Sequence, residues 1–509
     1  MMGMPGSRHP WRDTSVNAPM AMVAVLAGAA FAMGCAHPPA TTDVPAATFD
    51  RTRPPALASP PALVMPAVVR RELPNGLQIV MVERHNLPLA DFVLLVRTGT
   101  EADPPGKPGV SSLTADLLSR GTATRSATAI AEQQALLGVS LRAASTWDQT
   151  TVSLHTPIAQ LDSALALFAD VALHPAFAPA EVDRAKKERV TRLIELGDRG
   201  PFVAARAFDA ILYGPNQPYG RQELGTESSI PAITRQDLRT TYAAAFQPRN
   251  TVLIVTGDVK PDDVERRARA LFSGWTPEGP AATGSAAPPA ATAPAASGPA
   301  TIYVINKPDA PQSSIRMGSI GVARSTPDYF PLIVLNSALG GAFTSRLNQN
   351  LRETHGYTYG AFSDFDMRRE AGPFIAEAEV VSAKTDSSLL EFMHELRAIH
   401  DTMPAAELSK TKRYLQLQLP GEFESTSDIA SDLIPVVLYG LPDDFYTTYQ
   451  LRVAAVTQAD VQRVAQRYID SGKLTIVVVG DRRSIEGPLR ATGIGSVEPR
   501  GPNGETIQQ

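Results

Sequence analysis

The chain has 509 residues, 43% of them apolar and one of them cysteine, with a formal net charge of −5. That length suffices for two or more domains with cores of their own, and the absence of any basic run argues against nucleic acid as the main partner. A single cysteine excludes an intramolecular disulfide framework and any cysteine-based zinc site.

The first segment reads as an export signal. Arg8 and Arg12 precede an apolar stretch from Ala18 to Met33, too short to span a bilayer comfortably as a permanent helix. It ends in Ala32-Met33-Gly34-Cys35. This resembles a bacterial lipoprotein signal, with Ala32 where a Leu is usual, and an ordinary secretory peptide or an uncleaved anchor is the alternative. The resemblance implies a signal peptide over 1–34 and a lipid on Cys35. Ala36 stands where an Asp often retains lipoproteins at the inner membrane, so the expected location is the outer membrane, facing the periplasm. Residues 35–66, rich in Ala, Pro and Thr, are expected to be a disordered tether.

Next comes a first domain over 67–276. Strands are expected at 70–73 and 77–83 around the Pro74-Asn75-Gly76 turn, and a third at 91–96. Helical periodicity follows at 111–119 and 127–137, then strands at 139–146 and 150–155, then helices at 158–173, 179–196 and 202–212. A helix over 237–246 leads into a strand ending in Leu253-Ile254-Val255-Thr256-Gly257-Asp258.

Residues 277–299 are almost entirely Pro, Ala, Gly, Thr and Ser, the composition of an inter-domain linker. A second domain, 300–491, repeats the plan. Strands are expected at 301–305 and 313–320, helices at 329–339 and 345–353, and strands at 357–364 and 373–381. A largely helical remainder includes a helix over 458–469. It closes on Ile476-Val477-Val478-Val479-Gly480-Asp481, and two like endings roughly 220 residues apart indicate two copies of one module. The fold class is therefore α+β, two tandem halves, each a mixed, mainly antiparallel sheet with helices on one face. Residues 492–509 are expected to be a disordered tail.

The segment from Gly109 to Thr122, Gly-Val-Ser-Ser-Leu-Thr-Ala-Asp-Leu-Leu-Ser-Arg-Gly-Thr, resembles the active-site helix of the insulinase/pitrilysin peptidases, a family that includes mitochondrial processing peptidase and folds as a clam-shell. Their helix carries H-x-x-E-H, in which two His at i and i+4 grip Zn²⁺ and the Glu activates the bound water. On that pattern the first His is Ser112, the Glu is Ala115 and the second His is Asp116. The family's third ligand, a Glu about 77 residues on and about eight before a Pro, falls on Leu193 by both registers. The resemblance thus implies no metal in this chain, only Asp116 being able to coordinate. The eight His offer no i,i+3 or i,i+4 pair, and no Gly-x-Ser-x-Gly elbow or P-loop is present.

The second half keeps a different signature. The run from Leu339 through Gly340-Gly341, Ser345-Arg346-Leu347 and Leu351-Arg352-Glu353 to Gly356 and Tyr359 resembles the family's C-terminal motif. There the Arg and a Tyr seven residues later face the zinc site across the peptidase chamber, and the resemblance implies Arg352 and Tyr359, with Gly340 and Gly341 of the loop, as substrate-binding residues. Tyr357, Tyr359 and Ala361 are expected to share one strand face. A guanidinium can hold a peptide carbonyl and a phenol can donate to an oxyanion. The combination resembles the non-catalytic subunit of a heterodimeric peptidase whose partner carries H-x-x-E-H and the zinc. A peptide-binding or scaffolding protein with no peptidase partner, and an active hydrolase using another metal or residue set, are the alternatives.

Overall fold

In the computed structural model, which describes residues 60–61, 63–276 and 300–507, the alternating strands fold into two six-stranded sheets that match in five strands and differ in the sixth, an edge strand antiparallel in the first and parallel in the second. The first contains β1 (Val68–Glu72), β2 (Gln78–Glu83), β3 (Leu89–Val96), β4 (Ser140–Ser145), β5 (Thr150–Pro157) and β6 (Thr251–Gly257), in the order β1-β2-β6-β3-β5-β4. The second contains β7 (Thr301–Asn306), β8 (Gln312–Ile320), β9 (Thr358–Phe365), β10 (Pro373–Val381), β11 (Thr475–Gly480) and β12 (Ser496–Arg500), in the order β12-β7-β11-β8-β10-β9. In each, one central pair is parallel (β2 with β6, β7 with β11) and the next three pairings are antiparallel. The strand-Gly-Asp endings noticed in the sequence are the equivalent strands β6 and β11.

The helices of the first half are α1 (Val110–Leu118), α2 (Ala127–Leu137), α3 (Leu161–Leu173), α4 (Pro179–Gly197), α5 (Gly200–Tyr213), α6 (Ser229–Ala232), α7 (Arg235–Ala245) and α8 (Pro261–Phe272). Those of the second are α9 (Tyr329–Asn336), α10 (Thr385–Ala398), α11 (Ala405–Gln418), α12 (Thr426–Leu438), α13 (Phe445–Ala455), α14 (Gln458–Tyr468) and α15 (Arg482–Ala491). The helices preceding β6 and β11 both start from a reciprocal cap, Thr234 with Asp237 and Thr457 with Asp460, which satisfies orphan N–H groups at each start. Each half has its own apolar core: Phe92, Phe168 and Phe272 anchor one, Phe374 and Phe392 the other.

The expectation of helices on one face only is corrected by an exchange. The second face of each sheet carries a helix from the opposite half. Ile429, Leu433 and Val437 of α12 pack on Val80, Val93 and Ile254 of the first sheet. Val203, Ala207 and Phe208 of α5 pack on Ile305, Ile375 and Val477 of the second. Both sheets therefore bury both faces, which is why the centres of β6 (Val252–Val255) and β11 (Ile476–Val479) are apolar without alternation.

Two further expectations need correction. Residues 496–500 are not part of a disordered tail: they form β12, parallel to β7, and Arg206 of α5 donates to Pro502 O at 3.2 and 3.3 Å. The described end of the tether is also docked. Leu63 N–H donates to Gln450 Oε1 of α13 at 3.3 Å and Gln450 Nε2 to Pro61 O at 2.9 Å. The signal peptide, Cys35 and the 277–299 linker lie outside the described residues. No described helix is long and apolar enough to cross a membrane.

Candidate functional site

Gly109, at φ +90°, turns the chain into α1, and a side chain there would meet the Gly225 backbone at 2.7 Å. Buried Asp103 caps this start from outside, accepting from Gly109 N–H at 2.6 Å and Ser111 N–H at 3.0 Å. Burial pushes its carboxyl up to about 6, against the pull of those bonds.

One turn along, Ser112 is buried and its hydroxyl donates to Glu223 O at 2.7 Å. Ala115 is fully buried and Asp116 sits at the far end of the same helix face. Between Ser112 and Asp116 lies the guanidinium of Arg189, from α4. Its Nη1 donates to Ser112 Oγ at 2.9 Å and to Leu224 O at 3.0 Å, and its Nη2 to Asp116 Oδ2 at 2.5 Å. Arg189 is 4% exposed. Leu193, one turn further on α4, is buried beside it in the first core. The sequence reading named Ser112, Ala115, Asp116 and Leu193 and missed Arg189. Its signal was position: Arg189 stands at i−4 from Leu193, hence on the same face of α4.

The second signature is assembled around two wide helical turns. Ala342 N–H bonds to Ser337 O at 3.2 Å and His355 N–H to Asn350 O at 3.1 Å, both i→i+5, a geometry found often at functional sites. Leu347 and Leu351 are fully buried, and Gly356 takes the left-handed conformation, φ +64°, that ends the segment. Gly340 is tightly packed, since a Cβ there would lie 2.3 Å from Ser363 N on β9. Gly341 is less confined, a Cβ there lying 3.0 Å from Asn336 Nδ2.

Arg352 stacks on the Phe343 ring at 4.3 Å. Its Nη1 lies 3.3 Å from Glu353 Oε1 without hydrogen-bond alignment, leaving a buried N–H with no acceptor among the described residues. Tyr359 is 92% exposed. The expected common face for Tyr359 and Ala361 is corrected by a bulge. Ala361 pairs with Ala378 and Thr358 with Val380, so Tyr359 and Gly360 together oppose Glu379. The bulge re-aims Tyr359 away from the core that holds Ala361. Tyr359 instead lines a cleft of about 410 Å³ with residues of α5, β8 and β10, whereas Arg352, Gly340 and Gly341 do not line it.

The model described as "Insulinase (Peptidase family M16)" matches residues 78–206, and "Peptidase M16 inactive domain" matches 232–415. An uncharacterized zinc protease of Mycobacterium leprae (strain TN) is 31% identical over 306 residues, 60% of this chain and 67% of that protein. The chain belongs to the insulinase family. The crystal structure of a peptidase M16 inactive domain from Pseudomonas fluorescens superposes with a TM-score of 0.74 at 26% identity, over 81% of this chain and 98% of that one. A relative called a non-peptidase homolog, from Helicobacter pylori (strain ATCC 700392 / 26695), is 21% identical over 409 residues, 80% of this chain and 92% of that protein.

The insulinase family implies zinc, and the residues at its positions here do not fit that ion. Ser112 turns its proton toward a carbonyl, Ala115 and Leu193 offer no donor atom, and the one carboxylate, Asp116, is already paired to a fixed positive charge. A dication between Ser112 and Asp116 would have to displace a buried guanidinium. Among the described residues no group of three His, Cys, Asp or Glu is placed to hold a metal. The chain is an insulinase-family member of the inactive kind, with its family's metal helix bridged by an arginine.

Proposed function

We propose that this chain is the non-catalytic, substrate-holding subunit of a heteromeric periplasmic zinc endopeptidase that cuts peptides or unfolded segments. The partner is a second insulinase-family subunit carrying H-x-x-E-H and the zinc. The observation that carries this reading is an asymmetry between the halves. The metal helix is locked by Arg189, while the Arg352–Tyr359 segment keeps a buried N–H without a hydrogen-bond acceptor among the described residues and an open phenol. An unsatisfied buried donor is costly unless something binds it. In the complex, Arg352 holds a carbonyl of the bound peptide and Tyr359 donates to the carbonyl oxygen as it gains negative charge.

Tyr359→Phe removes one hydroxyl at nearly constant volume from an exposed residue, so folding and assembly should be unaffected. Loss of one such donor lowers turnover by roughly 10²–10³-fold. Arg352→Lys keeps the charge and loses the planar fork, so it should also impair cleavage. Each variant is to be mixed with the zinc-bearing subunit, with assembly and cleavage measured separately. Normal assembly with strongly reduced cleavage supports the reading. Unchanged cleavage with both Tyr359→Phe and Arg352→Ala would move a scaffolding role ahead of it.

The lipid on Cys35 would fix the chain to the outer membrane, with the segment before Pro61 as tether. A Cys35→Ser protein should then leave the membrane fraction; one still wholly membrane-bound would show another anchor.

A further inference from the structure

The cleft beside Tyr359 draws on both halves of the chain. Pro201 and Ala204 at the start of α5 form one wall, and the side chains of β8, β9 and β10 form the other. Two aromatic rings stand open at it, Tyr359 at 92% and Phe362 at 53% exposure. The charged lining residues are Arg316, Glu377 and Glu379. Arg316 pairs with Glu377 through Nη1 and lies 5.4 Å over the Phe208 ring, while its Nε, buried and without an acceptor among the described residues, is closed to solvent. Glu379 is exposed, and its carboxylate has no hydrogen-bond or ion-pair partner among the described residues. Asp364, two residues beyond Phe362 on the same face of β9, adds to the negative field. Its side chain is exposed on that face.

We propose that this cleft receives a lysine or arginine side chain of the bound peptide, with Glu379 as its ion-pair partner and the Tyr359 and Phe362 rings against its stem and charge. This rests on the substrate-holding reading and names the substrate class. The chemistry is selective. A basic side chain has an apolar stem for the rings and a charge that suits both their faces and the free carboxylate. An acidic side chain meets Glu377 and Glu379, with the one local cation already paired, and an apolar one leaves Glu379 beside a surface it cannot satisfy.

The test uses the purified full chain and short fluorescein-labelled peptides of alanine and serine with one central lysine, norleucine or glutamate, read by fluorescence anisotropy at low and high salt. The lysine peptide should bind roughly three- to tenfold tighter than the norleucine peptide, and the glutamate peptide weakest. High salt should reduce the lysine advantage, and Glu379→Gln, an exposed change whose folding circular dichroism can check, should abolish it. Equal binding of the lysine and norleucine peptides, or an advantage that survives in Glu379→Gln, overturns the charge preference and leaves the subunit reading standing. If none of the peptides binds, with or without the zinc-bearing subunit, the substrate-holding reading falls and this one with it.

Discussion

Replacing Arg189 by methionine is the most informative single change at the degenerate metal helix. Methionine keeps the apolar stem and drops the guanidinium head, so the main loss is three bonds, to Ser112 Oγ, Leu224 O and Asp116 Oδ2. Breaking a fully buried ion pair costs about 3–5 kcal/mol, and a hydrogen bond to a charged group contributes about 1.5–3. The Asp116 side chain is 39% exposed, so water can take over part of its charge. The cost should therefore fall below the buried-pair range, at about 2–3 kcal/mol. Urea unfolding of Arg189→Met, Asp116→Asn and the double variant gives a thermodynamic cycle with an expected coupling of about 1–2 kcal/mol. A loss under about 0.5 kcal/mol, or additivity of the two changes within about 0.3, would refute the claim that the guanidinium holds these helices together.

The same geometry bears on metal. A chain carrying Ser112→His, Ala115→Glu, Asp116→His and Leu193→Glu should retain zinc on gel filtration only when Arg189→Met is added; retention with Arg189 present would show the guanidinium to be no obstacle. Glu101 is pushed up to about 8, chiefly by burial and against the pull of Arg369. A carboxyl whose pKa is higher in the fold keeps its proton there while the unfolded chain loses it, so its contribution falls as pH rises from about 4.5 to about 8. Melting temperatures at pH 5, 7 and 9 should show Glu101→Gln gaining on the parent with pH, and a constant difference would contradict that. Phe208→Ala on α5 should cost about 3–5 kcal/mol. Amide exchange should quicken in β8 and β11 of the opposite half, and no change there would argue against the helix exchange.

Much of this architecture was legible where local chemistry decides it. The helix expected over 127–137 is α2, residue for residue, because Ser126 caps its start and Gly138, at φ +64°, stops it. The strand expected over 373–381 is β10. What could not be read were pairings across the fold. The apolar face of α5 announces that it is buried but not that the opposite half's sheet buries it. The strand at 496–500 is short and contains Pro499, tolerable only because it pairs at an edge. At the site, Ser112, Ala115, Asp116 and Leu193 were assigned by laying the chain on the family's motif and its spacing. Arg189 was not, since a lone arginine on a charged helix reads as solvated until its partners are known. The re-aiming of Tyr359 depends on a bulge that shows only in the pairing with β10.

The most direct measurement is peptide cleavage by three samples at equal concentration: this chain alone, the H-x-x-E-H subunit alone, and the two together, each with its zinc content. The expected result is cleavage by the mixture, little by either chain alone, and zinc in proportion to the partner subunit. Cleavage by this chain alone, lost on chelation, or an equal rate from the partner without it, would contradict the division of labour between a metal-bearing and a substrate-holding subunit.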